Sequence, residues 1–524
     1  MNEHSSTKSE SNKLAFAAVG LFLLVIVIMA ASGKIAFINK TTVVPILFIA
    51  AALSKKLVPF IREWAIFLCL VVLFDSLRGY VYYLTSTMGL PVYMNYVIHP
   101  ELSLFKGKIL TEWFQQFFYS KGNTTIFDKL LTIIHGSHFL MFLLFGLGVW
   151  YLKKVDFPKY KSGILIVMYI GLLFYLLVPT IPPWMAASQF HVLPELPRIF
   201  MGIYNTALPG AANTFDTNPI AAMPSLHTAF PTFLMLVSVY HLRWRSIPFI
   251  LYWLLMIMAL FYGGEHYFLD VIAGIILASL AFWLSHKKNI GENFASYVQD
   301  KIDTSPKGKL LTYLDTDIKR NIALAIFILA LSEIIGQINV SSTTQWQPDE
   351  DFVKRELIGH SDMAHFELAR IGLAEKNLQN AKINFEKSLH ELQSSKAKKY
   401  VKIKLANIAY MEQQFAHAAR YLLSVPLADL RPENGKQLVI SLMNSNNAQT
   451  GFKVLDELEQ VYACDPGIVY LHTYLHYKAG HLTISDVQRI ANSLGKRVGN
   501  PLNAVMAQKL QEIVKSDELP HKAN

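Results

Sequence analysis

Ala221-Ala-Met-Pro-Ser-Leu-His-Thr-Ala-Phe-Pro231 and Gly263-Gly-Glu-His-Tyr-Phe-Leu-Asp-Val-Ile-Ala-Gly274 frame a mostly apolar stretch, Thr232–Tyr262, broken near its middle by Arg243, Trp244 and Arg245. Two apolar arms joined by a short basic turn predict a helical hairpin across a bilayer. A hairpin returns the chain to the side it left, so Ser225, His227, His266 and Asp270 are expected to converge near one membrane face. Ionisable residues at membrane depth are costly and read as functional. A membrane Ser or His taken singly is more often a packing hydrogen-bonder. The set together, on one side, predicts a site.

The residue types point to a chemistry. His266 and Asp270 are spaced i, i+4, which on a helix puts them on one face. A carboxylate bonded to one imidazole nitrogen fixes the tautomer and leaves the other nitrogen free as a nucleophile. Ser225 and His227 follow Pro224, a usual place for a helix to begin. Free N–H groups and the helix dipole there favour an anion. Ser225 is then expected to donate to a phosphate oxygen and His227 to protonate a leaving alcohol.

Pro224-Ser225-x-His227 followed by His266-x-x-x-Asp270 resembles the second and third signatures of the type 2 phosphatidic acid phosphatase and vanadium haloperoxidase superfamily. Pro182-Pro183-Trp184, Pro209-Gly210-Ala211, Met223-Pro-Ser-Leu-His227 and Glu265-His266-Tyr267 resemble its inositol phosphorylceramide synthase branch and bacterial relatives. The resemblance implies that His266 forms a phosphohistidine, Asp270 orients it, His227 is general acid and base, and Ser225 holds the phosphate. It implies neither a metal nor a cofactor. The sequence lacks the superfamily's Lys-x6-Arg-Pro first signature, which leaves the basic phosphate ligands open.

The surrounding 524 residues are 52% hydrophobic and 16% charged, too apolar for an ordinary soluble protein, whereas the last third is polar. The net charge of +10 could indicate nucleic acid. The basic residues instead cluster beside membrane segments, where they set topology, and no nucleic-acid partner is expected. Cys69 and Cys464 imply no disulfide framework.

In chain order, 1–13 is a polar, disordered N-terminus and Leu14–Ala31 a first span. Ala30-Ala31-Ser32 has the form of a signal-peptidase site, but the apolar run exceeds a usual signal core, so a retained helix is expected. Weaker Thr42–Leu53 and then Trp64–Leu84 follow as spans. Residues 85–126 form a long connection in which Trp113, Phe114, Phe117, Phe118 and Tyr119 predict an interfacial amphipathic helix. Leu130–Leu152 and Ile164–Pro179 span, and Thr180–Pro219 is a second long connection. Hairpin arms Ala221–Tyr240 and Ile247–Gly263 precede a last core helix, Phe268–Leu284. The catalytic membrane domain is thus 14–285, followed by a polar linker, 286–320, and an extra span, 321–338.

Lys55, Lys56 and Arg62, then Lys153, Lys154, Lys159 and Lys161, then Arg243 and Arg245, then Lys287 and Lys288 lie in alternate connections, predicted cytoplasmic. Thr180–Pro219 holds only Arg198. The motifs are therefore expected on the outer face, periplasmic or lumenal, of a multi-pass protein, with a bacterial inner membrane as the expected location. If 321–338 crosses, the tail shares that side.

At that depth Arg78, one turn after Asp75, is either a phosphate contact or a snorkelling anchor. His135 and His138 resemble a histidine pair of the same branch and either line a headgroup pocket or pack. Glu265 either binds an acceptor hydroxyl or caps a helix.

The tail, 340–524, reads as a soluble helical domain. Leu368-Ala369, Ala381, Phe385 and Ser388 match the spacing of a tetratricopeptide-type helix pair. Leu405-Ala406, Ala418 and Leu422 repeat it, and Leu438, Gly451 and Leu455 give a poorer third copy. No metal-ligand cluster, nucleotide loop or nucleophile triad is apparent in it, so it is expected to bind a protein partner or dock on the core.

The expected fold is all-α, a polytopic transmembrane helical bundle with a C-terminal helical repeat-like domain. The expected activity is phosphoryl transfer on lipid phosphates or phospholipid headgroups, with a lipid alcohol as acceptor. The alternatives are a lipid phosphate phosphatase, acting on phosphatidic acid or polyprenyl phosphate, and an inactive scaffold or transporter.

Overall fold

The computed structural model describes residues 57–121, 123–152, 156–207, 217–291, 293, 317–341, 346–497 and 499–518. The expected spans Leu14–Ala31 and Thr42–Leu53, the Pro209-Gly210-Ala211 motif and most of the linker lie outside these residues. Among the described residues every regular element is helical, and β-pairing is confined to the isolated bridges Tyr93–Thr180 and Thr180–Ala221. The protein is an all-α helical bundle followed by a helical domain. Its compact units are 1–356 and 357–524.

In the first unit the helices that position the site are α1 (Leu57–Met88), α2 (Asn95–Leu104), α3 (Leu110–Phe118), α4 (Ile126–Gly136), α5 (His138–Leu152), α6 (Phe157–Leu177), α7 (Leu226–Leu242), α8 (Ile247–Gly263), α9 (Phe268–Phe282) and α10 (Asp317–Ser341). Phe157–Leu177, Leu226–Gly263, Phe268–Lys287 and Asn321–Ile338 are long and apolar enough to cross a membrane. The span expected from Leu130 is instead the pair α4 and α5, bent by 61° between His135 and His138.

The hairpin forms as the apolar pattern predicts. Arg243–Ser246 makes a short 3-10 turn, and Trp253 Nε1 of α8 donates to Thr232 Oγ1 of α7 at 2.8 Å, pairing antiparallel arms. Its second arm ends at Gly264, whose φ of 71° is the left-handed conformation that glycine adopts at least cost. The core between α1, α5, α6 and α7 is aromatic, with Trp64, Phe142, Tyr160, Phe230 and Phe233 fully buried. The expected interfacial segment is α3, which buries Thr111 and Gln115 and exposes Phe117 and Phe118.

Helix α10 runs parallel to α1. Asn321 Nδ2 donates to Arg62 O, Ser332 Oγ lies 2.7 Å from Ser76 Oγ, and Trp346 N donates to Tyr82 OH. The chain after α10 thereby reaches the end of the bundle that carries the motifs. There Glu356, 3% exposed, accepts from the amides of Met94 and Asn95 at the start of α2.

The second unit is a succession of helices from Ala364–Ala374 to Leu502–Glu518. Small and apolar positions singled out in the sequence, Ala369, Ala381, Phe385, Ser388, Ala406, Ala418, Leu422, Leu438 and Leu455, are all fully buried between them.

Candidate active site

The loops that build the site are stitched by backbone bonds. Tyr93 N donates to Pro179 O, Ile181 N to Tyr93 O, Thr180 N to Ile220 O and Ala222 N to Thr180 O. This ladder carries the chain into Pro224 and Ser225. Ser225 is the N-cap of α7: its Oγ accepts from Thr228 N at 3.2 Å and from Thr228 Oγ1 at 3.1 Å. Its own amide donates to Asp270 O at 3.0 Å, so the two motifs are joined through the main chain. That contact explains Gly274: a Cβ there would lie 2.4 Å from Ser225 O.

Asp270 is fully buried at the N3 position of α9, where Oδ2 accepts from Tyr267 N at 2.8 Å. This is the reciprocal half of a capping box. His266 precedes the Tyr267 N-cap and is not on the helix, in contrast to the i, i+4 helical reading of the sequence. The capping turn still brings His266 Nδ1 to 3.6 Å from Asp270 Oδ2. On the far side of the ring, His266 Nε2 lies 3.2 Å from Nδ1 of His227, the second residue of α7.

The kink between α4 and α5 delivers His135 and His138 to the same place. The His227 ring stacks on His135 at 4.6 Å between centroids and meets His138 at 3.9 Å. His138 Nδ1 is 2.8 Å from His135 O, which favours the tautomer with its proton on Nδ1. The structure therefore unites Ser225, His227, His266, Asp270, His135 and His138.

Two guanidinium groups flank this cluster. Arg78 Nε donates to Thr217 Oγ1 at 3.0 Å, a terminal nitrogen lies 3.6 Å from Asp75, and the group approaches the Phe139 ring. Arg198 stacks over Trp184 at 3.7 Å and pairs with Glu265 at 3.5 Å. Glu265 thus meets a cation, and Trp184 of the Pro-Pro-Trp motif becomes a platform for Arg198.

Sequence reasoning missed Arg198 as a site residue, although it stood out as the basic residue of its connection. It also missed Glu101, for which no local pattern gives a signal. The Glu101 carboxylate is 1% exposed and accepts from Leu110 N and from Phe268 N, each at 2.8 Å. Phe268 opens α9, so Glu101 supports the turn that holds His266. Burial pushes its carboxyl up to about 7; the two amide donors oppose this, and the Asp270 and Glu112 carboxylates add to it.

A family model described as the PAP2 superfamily matches residues 107–284. No curated protein and no solved structure matches the chain. The matched stretch contains every residue of the histidine cluster together with Ser225, Asp270, Arg198 and Glu265, whereas Arg78, Glu101 and the tail lie outside it. Over that stretch the match supports the PAP2 superfamily, and with it an enzyme of the phosphatase or phosphotransferase type.

Proposed function

We propose that this chain transfers phosphoryl-linked headgroups between membrane lipids through a phosphohistidine on His266. The observation that carries the reading is the line Asp270–His266–His227, with an imidazole edge on each side of the future phosphorus. With its Nδ1 proton assigned to the side facing Asp270, His266 presents a lone pair at Nε2, and His227 enters the step as the imidazolium, its Nδ1 proton lying between the rings. A substrate phosphorus entering there is attacked by His266 Nε2 as the bond to the departing alcohol breaks, and His227 supplies that alcohol with its proton. In the second half, His227 takes a proton from the incoming hydroxyl, which attacks the phosphohistidine and frees His266.

Charge on the phosphoryl oxygens meets the first amides of α7, the Ser225 hydroxyl and the flanking guanidinium groups. Arg78 and Arg198 stand in for the absent first signature. Their existing partners, Asp75, Thr217 and Glu265, hold them ready at the rim.

The residues do not themselves choose between water and an alcohol as acceptor. The Pro-Pro-Trp and Glu-His-Tyr motifs favour an alcohol, because they resemble the inositol phosphorylceramide synthase branch. The distribution of Lys and Arg supports an outward-facing site, with the tail on the same side and its helix pairs serving as a tetratricopeptide-like docking domain.

Protein in lipid vesicles, supplied with lipid phosphates and phospholipids with and without ceramide, diacylglycerol or polyprenol, tests the reading by mass spectrometry of the products. Transfer is supported by a phosphorylated headgroup appearing on an added alcohol. Free phosphate as the sole phosphorus product, unchanged by any acceptor, replaces it with a phosphatase.

A further inference from the structure

The sequence shows no metal-ligand cluster in the C-terminal unit, yet its fold assembles one. Asp456 lies on helix Ala448–Val461, and His472 and His476 lie on the next helix, Pro466–Lys478. The histidines are one turn apart and share a face. Both turn their Nε2 atoms onto a single oxygen: His472 Nε2 is 3.0 Å and His476 Nε2 2.9 Å from Asp456 Oδ1. One donor atom from each residue falls within a sphere of 4.8 Å mutual separation.

We propose that Asp456, His472 and His476 form a binding site for a divalent transition metal of the Zn2+ class. Two imidazoles and a carboxylate with a side open to solvent are a ligand set suited to Zn2+, whose bonds to such donors are about 2.0–2.2 Å. A cation at the point of convergence replaces the proton on each Nε2, so the three groups separate only slightly from their present spacing.

A second feature supports the site independently of the ligand atoms. His476 Nδ1 lies 3.1 Å from Nδ1 of His481, and the Phe452 ring packs against both imidazoles. Once Nε2 holds a metal, the His476 proton resides on Nδ1 and is donated to His481. That is the outer-shell bond which fixes the orientation of a ligating histidine. The site ties two consecutive helices together and is independent of the membrane chemistry.

The test uses the full chain in detergent, purified without a histidine tag and stripped with a chelator. It is dialysed against Zn2+, and bound metal is measured by elemental analysis alongside the unfolding temperature. The wild type is expected to retain one more Zn2+ per chain than the His472→Gln/His476→Gln variant and to unfold at a higher temperature with the metal than without it. Asp456→Asn, which preserves shape and a hydrogen-bond acceptor, is expected to lose the same Zn2+. His481→Gln is expected to weaken binding by about tenfold or more. Equal Zn2+ on the wild type and the double variant overturns the proposal, because the metal is then held elsewhere, as does a wild type that retains none.

Discussion

Replacing Glu101 by Gln tests whether the turn holding His266 rests on a buried carboxyl. Glutamine keeps the size of Glu101 but offers one acceptor oxygen to two donors, the amides of Leu110 and Phe268. One amide is left facing an NH2 group, at a cost of about 1–3 kcal/mol. The second effect depends on pH. Burial raises the Glu101 carboxyl from 4.5 to about 7, so the folded state holds a proton that the unfolded chain releases. That stabilising contribution is fully present below pH 4.5 and is lost as pH rises through about 7. The whole effect is about 3 kcal/mol, of which about 2.5 kcal/mol falls between pH 5 and pH 8. Glutamine does not titrate. The stability of the wild type minus that of the variant should therefore fall by about 2.5 kcal/mol over that interval, whatever the constant offset between them. Denaturant unfolding in mixed micelles, followed by circular dichroism at each pH, measures this difference. A difference that stays constant from pH 5 to pH 8 would mean that the folded Glu101 carboxyl holds no such proton.

Other substitutions separate the parts of the site. Asp270→Asn leaves the side chain's size intact but removes the charge facing His266 Nδ1, and turnover should fall by about a thousandfold or more with little change in KM. Gly274→Ala forces a methyl group against Ser225 O, and is expected to cost about 1–3 kcal/mol of stability and to lower turnover, measured by unfolding and by activity. Arg198→Ala removes the stacked cation above Trp184; kcat/KM for an anionic lipid should drop by about tenfold or more, while a charge-conserving Arg198→Lys recovers part of the loss.

Much of the site could be read from the chain because its geometry follows from topology. Two apolar arms broken by Arg243, Trp244 and Arg245 force a hairpin, and a hairpin brings Ser225 and His227 back beside His266 and Asp270. Local spacing was a poorer guide to detail. His266 meets Asp270 through a capping turn rather than along a helix face, because Asp270 spends Oδ2 on the Tyr267 amide and so begins α9 only at Phe268. Contacts between distant segments left no periodic trace. Glu101 reaches Phe268 from another connection, Arg198 finds its platform in Trp184, and Asp456 meets His472 and His476 across a turn between helices. The bend between His135 and His138 was hidden within an apolar run that reads as one straight span.

If His266 becomes covalently phosphorylated during turnover, that species can be trapped. Wild-type protein and His266→Ala in vesicles would be quenched within a turnover of the donor lipid under alkaline conditions, where phosphohistidine survives. The peptides would then be weighed. The mechanism predicts a phosphoryl adduct, with or without its headgroup, on the wild-type peptide carrying His266, accumulating further when the acceptor is withheld and absent from the variant. Product formation in the wild type with no adduct at His266, or turnover that persists in His266→Ala, would contradict it.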